Sequence, residues 1–212
     1  MIEFDFRFPG LDTLSGSSRV RTLRDALLDL AGGFTELPAG FAPDLLHGDG
    51  PGFIVGLNET AKAAALEAQL TALAASWDLS APQVVRASSG PRRRYGFFLI
   101  PKLANRNRLG RRRELFTPER WARLRHALKG RVSHPITLVY GEWVPSDASR
   151  VLDSDVSHMF VFRLEGDTDA RFLRRFIESE VFDGGVECDQ EAIYLSLGGL
   201  GLYVPQPGDS PE

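Results

Sequence analysis

The sequence predicts an α+β protein of two tandem units that share the element order β-α-β-β-α-β. Length is the first support, because 212 residues allow two domains of about 100 residues each. The second is a weak internal repeat, in which the apolar and basic run that begins at Leu23 returns in similar form at Leu124. The third is that strand-like and helix-like spacings of apolar residues follow one another in the same order in both halves.

The first half opens with a strand, because apolar residues from Ile2 to Phe8 alternate with charged ones. A helix follows, in which Val20, Leu23 and Leu27 form one stripe, and it is expected to stop at Gly32. The remaining predicted elements are an apolar stretch at 34–37, a strand at 53–57, a helix at 66–77 and a strand at 83–86. These six elements form the predicted unit 1, residues 1–90.

The second half gives the same order. Thr117 and Pro118 are residue types typical of a helix N-cap and of the first helical position, so a helix is predicted to begin there. The other predicted elements are strands at 95–102, 136–144 and 158–164, a helix at 172–177 and a closing strand at 192–197, with an extension through 202–204. Gly198 and Gly199 indicate a bulge or hairpin there. The predicted unit 2 spans residues 91–212 and includes a basic junction at 92–113.

This order of elements is the split β-α-β arrangement of the ferredoxin-like fold, in which helices cover one face of an antiparallel sheet. How the second face of each sheet is covered stays open. Two sheets packed face to face would make a pseudo-dimeric α/β barrel, whereas two sheets side by side would make one longer sheet. The apolar residues on both faces of the segment Phe97–Ile100 favour face-to-face burial.

Short motifs in both halves extend this interpretation. They are the segments Leu30–Thr35, Gly141–Trp143, Asp155–Ser157 and Gln190–Leu195. Through them the chain resembles small uncharacterised bacterial ferredoxin-like proteins, here as a tandem duplication that covers most of the chain. The resemblance implies the split β-α-β fold and brings no activity with it.

Composition excludes several classes of protein. The formal net charge is −3, and Cys188 is the only cysteine, so neither an intrachain disulfide framework nor a cysteine-built metal site is expected. No segment approaches the ~20 apolar residues of a membrane helix, and the first residues lack the basic-then-apolar order of a secretory signal. We therefore expect a cytoplasmic protein without a membrane partner, and the sequence leaves its oligomeric state open.

The most unusual stretch runs from residue 92 to residue 113, where nine basic residues occur without an acidic one. Arginine suits phosphate because its planar fork offers paired donors, and Tyr95, Phe97 and Phe98 could stack on exposed bases. A solvated arginine-rich loop at a domain junction explains the same composition and is the more common origin of such a charge run. The candidate binding residues are Arg92, Arg93, Arg94, Arg106, Arg108, Arg111, Arg112 and Arg113.

Two histidines are weak candidates for catalysis. His47 lies in a glycine-rich segment, and His158 follows Asp155 and Ser157 closely. Imidazole titrates near neutrality, so either ring could act as a general base. Turn chemistry also explains the segment around His47, and strand alternation would turn Asp155 and Ser157 away from His158. Because no histidine pair has metal-site spacing and no glycine run matches a nucleotide fingerprint, we predict neither a metal nor a cofactor.

Three functions stay open. The leading one is a non-enzymatic binding or interaction protein that engages an anionic partner, RNA or an acidic protein, through the arginine-rich junction or a cleft between the units. The first alternative is RNA binding or processing, as in the CRISPR repeat-processing endoribonucleases, whose glycine-rich loop is similar in kind to Gly198–Gly201. The second is a dimeric α/β-barrel enzyme that binds haem or a small organic ligand.

Overall fold

The chain divides into two compact units, each made of two segments. Met1–Arg92 and Val139–Ser154 form unit 1, and Arg93–Leu138 and Asp155–Glu212 form unit 2. A computed structural model gives the structure and describes residues 1–11, 17–38, 50–86, 95–103, 114–144, 153–165, 167–182 and 192–205.

Nine strands and four α-helices occur in the described ranges. The strands are β1 (Ile2–Arg7), β2 (Gly33–Leu37), β3 (Gly52–Leu57), β4 (Gln83–Arg86), β5 (Tyr95–Pro101), β6 (Thr137–Trp143), β7 (Asp153–Arg163), β8 (Ala192–Leu197) and β9 (Leu200–Pro205). The helices are α1 (Ser18–Ala31), α2 (Thr60–Ser76), α3 (Pro118–Ala127) and α4 (Asp167–Phe176), and α4 continues into a π-helical turn at Ile177–Val181.

Unit 1 contains an antiparallel sheet with the strand order β4-β1-β3-β2-β6. The phenylalanines of β1 face the two helices, and Phe6 lies opposite Phe53 of β3. They pack in one core with apolar residues of α1 and α2, among them Leu23 and Leu70, which are fully buried. The alternation in the first strand therefore marks a genuine core face.

Unit 2 contains the antiparallel order β7-β5-β8-β9. Phe98 of β5 stacks on Phe160 of β7, with ring centroids 4.9 Å apart, and both are fully buried. The helix α3 begins as predicted, because the Thr117 side chain accepts a hydrogen bond from the backbone N–H of Arg120 and Pro118 takes the first helical position. Its apolar stripe joins this core.

The hairpin at the end of the chain is also confirmed. β8 pairs residue by residue with β9, from Leu197 opposite Leu200 outward. Gly198 and Gly199 form the turn with φ of 61° and 90°, the pair of positive values that a two-residue turn with the twist of a hairpin requires.

The predicted fold class, two tandem ferredoxin-like units with packing as a pseudo-dimeric α/β barrel as an option, is wrong. The positions of most helices and strands are as expected, but β6 from the second half pairs with β2 in unit 1, where Thr35 lies opposite Gly141. Every strand pair given above is antiparallel, and β9 adds a strand that the repeat does not have. The architecture is an antiparallel β-sheet fold with four short helices, so the α+β and ferredoxin-like descriptions no longer apply.

The order of elements did not reveal this outcome for a physical reason. A strand has two hydrogen-bonding edges, and the alternation of its side chains fixes its faces but not the neighbour at either edge. None of the helices in the described ranges has the length and apolar content needed to span a membrane.

Candidate functional site

His158 lies on β7 in unit 2, where it is opposite Ile100 of β5. The ring is half-buried and packs against the indole of Trp121, with ring centroids 4.2 Å apart. Trp121 reaches it because α3 presents its apolar stripe, which continues through Leu124 and Leu128, to this side of the sheet. The imidazole is therefore held in place by packing.

The two nitrogens of His158 have different surroundings. Nδ1 is buried and has no hydrogen-bond partner among the described residues, which leaves Nε2 as the nitrogen available to a ligand. Burial lowers the pKa of His158, and the positive charges of Arg125 and Lys102 lower it further. The ring is consequently neutral at neutral pH and offers one hydrogen-bonding atom, Nε2, beside two exposed cations.

The structure does not assemble a catalytic triad from the Asp155–His158 segment. Asp155 is buried, and its carboxylate accepts a hydrogen bond from the adjacent backbone N–H of Val156 at 2.7 Å. Alternation along β7 turns Asp155 and Ser157 to the face opposite His158. His158 is thus brought together with cations and an aromatic ring, and not with a carboxylate and a hydroxyl.

Lys102 links this site to the basic stretch of the sequence. Its backbone N–H donates to the carbonyl of Val156 on β7, and its carbonyl accepts from the N–H of Leu115. Beyond it, Leu103 pairs with Glu114. Leu103 and Glu114 therefore lie side by side, and the ten residues between them in the sequence contain five of the predicted binding arginines.

The other sequence candidates have no structural test. The eight arginines and His47 lie outside the described residues, so their roles stay predictions. They are Arg92, Arg93, Arg94, Arg106, Arg108, Arg111, Arg112 and Arg113. The predicted stacking of bases on Phe97 and Phe98 is wrong, because these rings are 6% and 0% exposed.

The sequence interpretation missed a basic helix. The segment 118–131, which contains α3, holds five basic residues and one acidic residue. Arg123 and Arg125 are exposed on opposite flanks of the buried stripe, since residues two apart on a helix point about 200° away from each other. The signal is present in the sequence as the charges of 118–131, but the predicted basic junction ends at residue 113.

Packing also holds the side chain of Arg120 of α3 in place, and this residue is only 9% exposed. One guanidinium nitrogen donates to the carbonyl of Val181 at 2.9 Å. The guanidinium carbon lies 4.4 Å from the ring centre of Phe116, a cation–π distance. Beside it is a pocket lined by Arg120, Arg123, Leu124 and Glu180.

A cluster of charged residues lies in unit 1, on the face of β1 that the alternation of apolar and charged residues predicts to be exposed. Glu3 and Arg7 are fully buried there, and Asp5 lies between them on the same face. Arg7 donates to the carbonyl of Gly50 at 2.8 Å, and the strand opposite it carries Gly52. Burial lowers the pKa of Arg7, and the charge of Asp5 opposes this effect. The alternation of residue types along β1 could not identify this cluster, because it shows which residues are polar and not which residues solvent can reach.

No three or more histidine, cysteine, aspartate or glutamate side chains in the described ranges are grouped so as to hold a metal ion. No protein-family model and no curated protein matches the chain.

Proposed function

We propose that this protein is a non-enzymatic binding protein whose partner is single-stranded RNA. The observation that carries the proposal is the neutral, half-buried imidazole of His158, which leaves Nε2 available to a ligand beside Lys102 and Arg125. Cations alone attract any polyanion. A neutral hydrogen-bonding group near them adds a preference for a ligand that supplies both negative charge and a hydroxyl group.

RNA supplies both of these groups. Its phosphates fit the two cations, and its 2′-hydroxyl both donates and accepts hydrogen bonds, so it fits either tautomer of His158. An acidic peptide offers carboxylates to the cations but no regularly spaced hydroxyl. The predicted arginines, which precede and follow β5 in the sequence, would add further phosphate contacts. Lone Cys188 leaves no pair for an intrachain disulfide, which supports a cytoplasmic location as part of the proposal.

The test compares RNA with DNA of the same sequence. Fluorescence anisotropy of 3′-labelled, 5′-hydroxyl oligonucleotides should give RNA an advantage of about tenfold, the value of one hydrogen bond of roughly 1.4 kcal/mol. His158→Phe keeps a ring against Trp121 and should remove the advantage. Lys102→Ala combined with Arg125→Ala should weaken RNA and DNA equally, and should reduce the slope of the salt dependence by about 0.7 for each phosphate that is no longer neutralised.

Matched controls and contrary outcomes are available. Arg19 and Arg21 are exposed on α1 of unit 1, and their replacement by alanine should change neither affinity nor the RNA advantage. The proposal fails if His158→Phe keeps the full advantage or if the wild-type protein does not retain RNA at low salt. Competition by polyglutamate above that by RNA would identify an acidic protein as the partner instead. RNA that is recovered shortened, with His158 required, would indicate processing and contradict a non-enzymatic role.

A further inference from the structure

We propose that the pocket between α3 and the π-helical turn of unit 2 binds a tetrahedral phosphate group. The pocket lies beside the first two turns of α3, and Glu180 of the π-helical turn closes it on the other side. Its empty space of about 240 Å3 includes open solvent at the mouth, so a bound phosphate group would lie partly in solvent. This inference does not depend on the proposed RNA binding.

Arg120 supplies the built part of the site. More than nine-tenths of the residue is buried, and its contacts with Phe116 and Val181 fix the orientation of the guanidinium. Nε is buried and has no hydrogen-bond partner among the described residues. A buried donor without a partner is unfavourable. A guanidinium offers five donors in a fixed fork, and one of them is given to Val181, so an anion in the pocket would have other donors of Arg120 to contact.

The charges around the pocket favour an anion. Arg120 and Arg123 are three residues apart on α3 and therefore lie on neighbouring positions of one flank. Arg120 lies in the first turn of α3, where the helix dipole also attracts negative charge. Glu180 is exposed and reduces the net charge of the lining residues to about +1. Glu180 should therefore weaken the binding of an anion. Neutralising Glu180 should strengthen anion binding, whereas neutralising an arginine of the pocket should weaken it.

The π-helical turn is what brings the second wall of the pocket into place. The N–H of Phe182 donates to the carbonyl of Ile177, five residues earlier, at 3.1 Å. Such a turn carries one extra residue, and π-turns are frequent at functional sites. Val181 is the last residue of this turn, and its carbonyl accepts a hydrogen bond from the guanidinium of Arg120. The same turn places Glu180 at the rim of the pocket.

The first experiment uses inorganic phosphate as the probe and isothermal titration at constant ionic strength, with acetate and chloride as comparison anions. We expect saturable binding of phosphate to the full chain. Arg123→Gln alters an exposed side chain and should weaken binding about tenfold, whereas Glu180→Gln should strengthen it several-fold. Arg21→Gln on α1 is the matched control and should have no effect. Arg120→Lys, which keeps the charge but loses the fork, should also weaken binding.

The second experiment identifies the source of the phosphate. RNA with a 5′-phosphate is compared with 5′-hydroxyl RNA on the wild-type protein and on Arg123→Gln. A 5′-phosphate advantage that disappears in Arg123→Gln assigns the site to RNA ends. Saturable binding of inorganic phosphate without such an advantage assigns it to free phosphate. The inference is overturned if phosphate binds no better than acetate and chloride, or if Arg123→Gln and Glu180→Gln both leave phosphate binding unchanged. Failure of RNA binding alone removes only the proposed function.

Discussion

Replacing His158 should change how the stability of the protein depends on pH. The pKa of His158 is lowered from the ordinary value of 6.5, first by burial and then by Arg125 and Lys102. In the pH range just below 6.5 the unfolded chain therefore binds more protons at this position than the folded chain does. The free energy of unfolding must fall as the pH is lowered through that range, and it levels off below the folded-state pKa.

The size of the effect has an upper limit. One proton that is bound only in the unfolded state changes the free energy of unfolding by about 1.4 kcal/mol per pH unit. His158 is only half-buried, and both cations are exposed, so solvent screening should leave a fraction of this limit. His158→Gln has no titrating ring and should lack this contribution entirely. Relative to the variant, the wild-type protein should lose stability between pH 6.5 and pH 5 and keep a constant difference above pH 7.5.

Urea unfolding at closely spaced pH values, followed by circular dichroism, measures this difference. His126→Gln is the matched control, since it removes an exposed histidine of α3 and leaves His158 in place, so the loss of stability assigned to His158 should persist. The reasoning is refuted if the wild-type protein and His158→Gln show parallel curves from pH 5 to pH 8. It is also refuted if the wild-type protein gains stability relative to His158→Gln as the pH falls, because the folded state would then favour the protonated ring.

Three further predictions concern stability and use urea unfolding at pH 7. Gly199→Ala should lower the free energy of unfolding by about 1 kcal/mol or more because φ is 90° there, whereas Gly198→Asn should be tolerated in the same turn; equal losses would contradict the turn geometry. Arg7→Met should cost about 1.5–3 kcal/mol, since it removes a charged donor from the carbonyl of Gly50, and Arg7→Lys should not restore the loss unless the fork is unimportant. Thr117→Ala should cost about 1 kcal/mol through loss of the N-cap of α3, and Thr117→Ser should recover most of it; no loss in the alanine variant would argue against the cap.

Local features of the chain were predictable because their causes are local. The start of α3 depends on the residue types of Thr117 and Pro118, and the final hairpin depends on two adjacent glycines that accept positive φ. The apolar face of β1 follows from the period of a strand. In each case the residues that determine the structure are within a few positions of one another.

Features that depend on distant parts of the chain were not predictable in this way. The carbonyl that Arg120 contacts belongs to Val181, 61 residues further along the chain. The pairing of β6 with β2 joins Gly33 to Trp143, and neither strand carries a motif that selects the other. Arg7 looks like a solvent-facing residue by alternation, yet it is fully buried. No spacing rule in the sequence reports such contacts.

The two proposed sites can be tested separately, although α3 contributes residues to both of them. A helix with one buried stripe leaves two flanks, and in α3 each flank carries an exposed arginine. Arg125 acts on His158, whereas Arg123 lines the pocket beside Arg120. Because Arg123 and Arg125 point about 200° apart and belong to different proposed sites, each should contribute independently to the free energy of RNA binding. The reductions in affinity caused by Arg123→Gln and Arg125→Ala should therefore add, in free energy, for RNA with a 5′-phosphate, while only Arg125→Ala should weaken RNA with a 5′-hydroxyl group.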